Sequence, residues 1–400
     1  MATSPSAEKP GKLSRTVVGL GWVSLLTDAS SELIFPLLPM FLTDVLHAQA
    51  TFVGLIEGMA EATSSAVKYF SGRWADRRAH AKPLVLWGYG LSTFMRPLIA
   101  LAMAPWQVLA VRMVDRVGKG LRSSPRDAMI AEATDAELRG KAYGFHQAMD
   151  NAGSVIGTLL GAGLLALSLD LRTVFWLAGI PGVLALATLV FVPEVQRAPR
   201  EGAKAVAHGS VKMPPALWRY LAVFFVFCAA NSSDAFLILK VREVGASRAL
   251  APLLWMVLNG VKAGFGTWGG ALSDKLGRLR VLAAGWLLYG VMYAVIGHMK
   301  SVLAVFIAVA VYGLYGAFAE GADRALVADL APTSARGRAF GLFNAVNGLG
   351  LLAAGLIFGH IWDTHGSTLA FSIAGAQAVV AAGLLVIVRP PRVERADAAG

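Results

Sequence analysis

The sequence predicts an all-α polytopic membrane protein with 12 transmembrane helices in two pseudo-symmetric six-helix bundles. Three observations carry that expectation. Of the 400 residues 56% are hydrophobic and only 15% charged, with a mean hydropathy of +0.59, where a soluble chain has about 25% charged residues. Apolar runs near the ~20 residues that cross a bilayer recur to the end of the chain. The chain also repeats itself. Gly72-x-x-x-Asp76-Arg77 returns as Gly270-x-x-x-Asp274-Lys275, and Arg139-Gly140-Lys141-Ala142-Tyr143-Gly144 as Arg336-Gly337-Arg338-Ala339-Phe340-Gly341, at offsets of 198 and 197 residues. A weaker third pair, Ser30-Ser31-Glu32 and Ser232-Ser233-Asp234, lies at 202. Parallel repeats of six spans place a binding site between the halves.

The spans fall near 16–43, 51–72, 83–103, 106–127, 141–167, 172–192, 217–240, 250–271, 281–297, 302–327, 338–360 and 368–388. The domains are then a tail at 1–15, a bundle at 16–192, a linker at 193–216, a bundle at 217–388 and a tail at 389–400. The linker, rich in Pro, Gly, Ala and charge, has no apolar periodicity. The tails, linker and even-numbered loops hold about 22 Lys and Arg, the odd-numbered loops four: Arg172, Arg242, Arg248 and Lys300. The positive-inside rule puts both termini in the cytoplasm, as an even number of spans requires. The net charge of +11 therefore reports orientation, and no nucleic-acid partner is expected. The polar N-terminus, followed by an apolar run too long for a leader, is not read as a signal peptide. The single cysteine, Cys228, excludes an internal disulfide.

The fourth segment is the least apolar in character. Arg112, Arg116, Lys119, Arg122 and Arg126 fall at roughly 0, 40, 340, 280 and 320° on a helical wheel, one face opposite Val111, Met113, Val114, Val117 and Leu121. Within a bilayer such a face turns to partner charges or to an aqueous cavity.

Here a resemblance becomes specific. The chain resembles the major facilitator superfamily from about Arg15 to Arg389. Gly72-Arg73-Trp74-Ala75-Asp76-Arg77-Arg78 is similar to that family's G-x-x-x-D-R-x-x-G-[RK] loop signature without the second Gly, which Gly277 supplies in the copy. Ile34-Phe35-Pro36-Leu37-Leu38-Pro39 resembles the P-x-x-P end of helix 1 in twelve-helix drug–proton antiporters. Gly153-x-x-x-Gly157-Thr158-x-x-Gly161 resembles their helix 5 motif, with Thr158 where the family has Pro. The resemblance implies alternating access of a small-molecule substrate across the inner membrane, with protons exchanged for it and export favoured.

At about 1.5 Å per residue, Asp28, Glu61, Arg96 and Arg116 share mid-depth, with Glu32 somewhat deeper along the first helix and Glu57 and Arg112 shallower. An unpaired charge there costs at least about 2.5–3.5 kcal/mol, so Glu57 and Glu61 are expected to face the basic stripe. Asp28 or Glu32 is the expected proton carrier, because helix 1 lines the central cavity in the resembled fold; Glu61 and Glu57 follow. Arg96, Arg112, Arg116, Asn231, Asp234 and Asn259 are the expected cavity residues, with Asp234 and Lys262 in pairing range. Gly72, Asp76, Arg77, Arg126, Asp127, Gly270, Asp274, Asp323 and Arg324 are expected to form the cytoplasmic gate. Trp22, Phe35, Tyr69, Trp255, Trp268, Tyr312, Tyr315 and Phe343 are aromatic candidates for the cavity wall. His146 stands alone and reads as a structural hydrogen-bond partner. No metal, no cofactor and no enzymatic activity are expected: the chain lacks G-x-x-x-x-G-K-[ST] and a nucleophile–base set. A monomer is expected. The alternative is proton-coupled uptake of an anionic solute by the Arg-rich face.

Overall fold

The computed structural model describes residues 13–76, 82–135, 138–194, 213–332 and 335–388. Among them twelve helical segments cross the molecule: α1 (Arg15–Val45), α2 (Ala50–Asp76), α3 (Lys82–Leu101), α4 (Pro105–Glu132), α5 (Arg139–Ala166), α6 (Leu171–Phe191), α7 (Pro215–Glu243), α8 (Ala251–Leu276), α9 (Arg278–His298), α10 (Val302–Leu330), α11 (Arg336–His365) and α12 (Ser367–Val388). Eight meet a length-and-hydropathy criterion for spanning a bilayer on their own. The other four, α2, α4, α5 and α8, are the polar ones. Several of their charges, Glu57, Arg112, Asp115 and Lys262 among them, are turned toward partners that offset the cost of leaving water, while Arg139, Lys141 and Lys275 near helix ends are exposed.

The helices form two bundles of six, α1–α6 and α7–α12, in mutual contact chiefly along α2–α11 and α5–α8. Within each bundle small residues set the closest approaches. A Cβ added to Gly153 or Gly157 of α5 would stand 2.3 and 2.4 Å from the Leu25 and Ala29 carbonyl oxygens of α1. α5 therefore lies backbone to backbone on α1, the close packing that small residues permit in membranes.

Three spans expected to be continuous are interrupted: α6 for one residue at Ala178, and, over a longer stretch, the first span of each bundle. In α1 the regular helix stops at Glu32 and resumes through a 3-10 turn at Phe35–Leu37, because Pro36 and Pro39 supply no N–H. In α7 it stops at Ala230 and resumes at Ala235. No proline breaks it. The Ser233 hydroxyl instead accepts from the Ala235 N–H at 3.2 Å and Asn231 leaves helical geometry at ψ 79°, the competition short polar side chains offer a helix. The two breaks coincide with the weakest repeat pair, Ser30-Ser31-Glu32 and Ser232-Ser233-Asp234.

One end of the bundle carries the α1–α2 and α7–α8 turns, the other the two ends of the described chain. At the turn end the halves are joined. Asp44, at the end of α1, meets Arg242 and Arg248 at 3.2 Å each. Asp363, near the end of α11, accepts from the Ala50 and Thr51 N–H groups at 2.8 Å and from the Thr51 hydroxyl at 2.6 Å, satisfying the unpaired donors that open α2. A glycine seam follows. A Cβ on Gly54 would meet the Gly355 carbonyl oxygen at 2.0 Å, and one on Gly359 the Thr51 Cα at 2.4 Å. The seam continues to Gly348 against Ala62, where the separation has grown to 3.2 Å.

Candidate functional site

Where the seam ends a cavity of about 440 Å³ begins, between the halves and running toward the end opposite the turns. Its walls differ. From α2 and α4 come Glu57, Glu61, Ser65, Lys68 and Arg116; from α7, α8, α10 and α11 come Phe224, Phe227, Asn231, Asp234, Trp255, Lys262, Tyr312, Tyr315, Phe343, Asn344 and Asn347.

Behind the first wall lies the basic stripe of α4. Val114 on its opposite side is exposed, whereas Arg112, Arg116 and Arg122 are 1%, 8% and 4% exposed. Arg112 bonds Glu57 at 2.8 Å, the arrangement expected for the α2 acids. The centre of the network is a residue the sequence reading passed over. Asp115 is 1% exposed, 3.2 Å from Arg96 Nε and 3.9 Å from Arg112. It falls at ~300° on the wheel, inside the basic face, and that position was the available signal. Arg96 also donates to the Thr27 carbonyl at 2.9 Å, and Arg122 to Ser92 at 2.8 Å. Phe35, in the broken part of α1, lies 3.9, 4.8 and 5.9 Å from the guanidinium carbons of Arg112, Arg116 and Arg96. Its ring face stabilises three cations where water is scarce.

Arg96 and Arg112, expected at the cavity, therefore do not reach it: their acids hold them behind the wall. Arg116 does reach it, and no acid among the described residues lies within ion-pair distance of its guanidinium. Glu61 lines the cavity with no direct hydrogen bond or ion pair among the described residues. Glu32 sits at the α1 break with its carboxylate beside the Trp255 indole of α8, and its Oε2 is buried without a hydrogen-bond partner by distance among the described residues. Asp28 lies one turn earlier, in the electrostatic reach of Asp150, Lys119 and Arg122.

The second wall is built on hydroxyls. Asp234 meets Lys262 at 3.1 Å, as expected from their positions, and accepts from the Tyr312 hydroxyl at 2.7 Å. Asn231 donates to the Tyr315 hydroxyl at 3.3 Å, and Ser232 shares a hydrogen bond of 2.7 Å with Tyr293. Tyr289, Tyr293, Tyr312 and Tyr315 form one cluster with ring centroids 4.5–5.8 Å apart. Two of them, Tyr289 and Tyr293, carried no distinguishing pattern in the sequence. Asn259 turns away from the cavity, donating to the Trp255 carbonyl at 3.1 Å. Of the other aromatic candidates, Trp255, Tyr312, Tyr315 and Phe343 line the cavity, while Trp22 and Trp268 are exposed.

Of the expected gate residues, Arg126 bonds its neighbour Asp127 at 2.8 Å, Asp323 accepts from the Tyr220 hydroxyl at 2.5 Å, and Arg324 is exposed at the cavity rim. Gly270 faces open space. Gly72, Asp76 and Asp274 are described by their helical backbone alone. Arg77, the side chain of Tyr69, the outer parts of both tails and most of the 193–216 linker lie outside the described residues. Among the described residues no group of His, Cys, Asp and Glu is arranged to hold a metal.

A family model described as Major Facilitator Superfamily matches residues 20–266 and 235–400. The chain belongs to that superfamily. It is 31% identical over 388 residues to an uncharacterized MFS-type transporter of Methanocaldococcus jannaschii, covering 95% of this chain and 96% of that one. It is 32% identical over 164 residues to the multidrug resistance protein MdtH of Edwardsiella ictaluri, which is 41% of this chain and 40% of MdtH. A crystal structure of a variant of the nucleoside transporter NupG superposes with a TM-score of 0.79 at 12% identity, covering 94% of this chain and 100% of that one; at that identity the likeness is one of fold. As a member of the superfamily the chain is a multi-pass membrane transporter of small molecules, and its relatives are transporters rather than enzymes.

Proposed function

We propose that the chain is a proton-coupled exporter of small molecules, working by alternating access in the inner membrane with both termini cytoplasmic. The observation that carries this reading is Glu32. It stands at the break in α1 between the halves beside Trp255, with its Oε2 buried and without a hydrogen-bond partner by distance among the described residues. An acid so placed has a reason to bind a proton and to release it when the halves move. Asp28, one turn away, is the second carrier. In this reading the bundles 16–192 and 217–388 rock about the cavity as bodies joined by the 193–216 linker, in a monomer. Asp76, Arg77, Arg126, Asp127, Asp274, Asp323 and Arg324 close the cytoplasmic side, together with Gly72 and Gly270. Export is supported by the helix 1 signature and by the partial likeness to MdtH.

The test is accumulation of fluorescent cationic, neutral and anionic compounds by an efflux-deficient bacterium expressing the chain, with and without an uncoupler. Lower accumulation, reversed by the uncoupler and by Glu32→Gln or Asp28→Asn, is expected. Uncoupler-insensitive export that survives both substitutions sinks the reading.

One observation favours a second reading, uptake of an anionic solute. The Arg116 guanidinium opens into the cavity over the Phe35 ring with no acid of the described residues in ion-pair range. Raised accumulation of carboxylates or phosphates, lost in Arg116→Ala but kept in both acid variants, would replace export by uptake.

A further inference from the structure

The α5 side of α1 carries a second titratable cluster that the reading above does not use. His146 is 4% exposed. Its Nδ1 lies 3.2 Å from Asp150 Oδ1, and its Nε2 is buried with no hydrogen-bond partner among the described residues. The Ser24 hydroxyl of α1 donates to the same carboxylate oxygen. Asp150 keeps 22% of its side chain exposed. Its α5 neighbours Gln147 and Asn151, bonded to each other at 3.2 Å, are exposed too, so this face of α5 is polar.

The spacing on α1 connects the cluster to the central acids. Ser24, Asp28 and Glu32 are four residues apart, so they rise along one face of the helix at about 6 Å per step. The ladder runs from the α1 break, where Glu32 lies, toward the end where the termini lie, and its last rung is bonded to Asp150. The charged groups around it are Asp28 on α1, Arg96 on α3, and Lys119, Arg122 and Arg126 on α4. On α8, which also packs against α5, Lys262 is taken by Asp234. Asp28 lies within electrostatic reach of Asp150. The contact is also held in register, because Gly153 and Gly157 seat α5 on the α1 backbone within the two turns that follow.

We propose that His146 and Asp150, tied to Ser24, form a proton-exchange station between Asp28 and cytoplasmic water, a site for one proton distinct from Glu32. The step is a single transfer. A protonated Asp28 or a hydronium ion gives up the proton, the open Asp150 Oδ2 takes it, and Asp28 carboxylate or water is left. The His146 Nδ1–H bond to Oδ1 then loses its anionic acceptor, and the same proton later leaves Oδ2 to water. This role rests on proton coupling as proposed above.

The experiment needs no substrate: an infrared pH titration of the purified full chain, compared with Asp150→Asn, His146→Gln and Ser24→Ala. A carboxyl band assignable to Asp150 is expected to titrate in the parent and to be absent from Asp150→Asn. In His146→Gln its midpoint moves by about one pH unit or more, the effect of removing a close charge partner. Ser24→Ala shifts it less. Identical titrations in the parent and Asp150→Asn overturn the proposal. If Asp150→Asn does not fold, an unchanged midpoint in both His146→Gln and Ser24→Ala overturns it instead. Failure of the export reading is a separate result, since it shows in the accumulation assay and leaves the infrared band in place.

Discussion

The halves of this transporter share a fold and differ in chemistry. The α1–α6 half fills its interior with formal charge: Arg96, Arg112 and Arg116 over one phenylalanine ring and against Glu57 and Asp115, with Arg122 over Tyr89. The α7–α12 half places four tyrosines in the corresponding region, with the ion pair of Asp234 and Lys262 at the cavity. Neutral hydroxyls cost little to desolvate and tolerate the loss of a partner. Buried ions do not: attraction offsets desolvation only while every partner stays in place. The charged half is therefore the one whose geometry is least negotiable, and the hydroxyl half the one that can adapt to a ligand.

That contrast can be broken by substitution. Arg96→Met leaves Asp115 with only the longer 3.9 Å contact to Arg112 among the described residues and is expected to cost about 3–5 kcal/mol, read as thermal unfolding in detergent, with the double variant Arg96→Met, Asp115→Leu regaining more than half. A smaller loss in the single variant than in any tyrosine variant would end the comparison. Next, Phe35→Leu is expected to lose about 1–2 kcal/mol of cation–ring attraction, and Phe35→Trp to keep it. Equal unfolding temperatures for the Leu and Trp variants would reduce the ring to filler. In the other half, Tyr312→Phe removes one hydrogen bond to Asp234 and is expected to cost about 1 kcal/mol; a loss as large as that of Arg96→Met would show the hydroxyl half to be equally rigid. The smallest effect lies at the junction. Asp44→Asn weakens two partly exposed ion pairs, about 0.5–1 kcal/mol, and is expected to raise labelling of a cysteine introduced at the turn end with little change in unfolding temperature.

The sequence carried the architecture because long apolar runs and a repeat are properties of the chain alone. Two site pairings were legible for a similar reason: Glu57 with Arg112 and Asp234 with Lys262 follow from depth and charge. Asp115 was hidden by counting only the cations of its helix face. His146 looked solitary although its partner, Asp150, sits four residues on, a spacing that puts both on one side of a helix. The Asp44 bridge to Arg242 and Arg248 joins residues 198 and 204 positions apart, and nothing local announces it. The α1 break was written in Pro36 and Pro39. The α7 break was not, because Asn, Ser and Asp unwind a helix only where tertiary contacts let them.

The glycine seam between α2 and α11 has a kinetic side. Helices that interlock through side chains separate only after rotamers rearrange. Gly54, Gly355 and Gly359 have no rotamers, so parting the two backbones needs no such rearrangement. What resists is dispersion between flat surfaces, about 0.1–0.2 kcal/mol per atom pair, together with the three Asp363 hydrogen bonds at its edge. Such a joint has a low friction of opening and a single catch, so turnover should respond more steeply to the Asp363 catch than to any apolar residue along the same two helices.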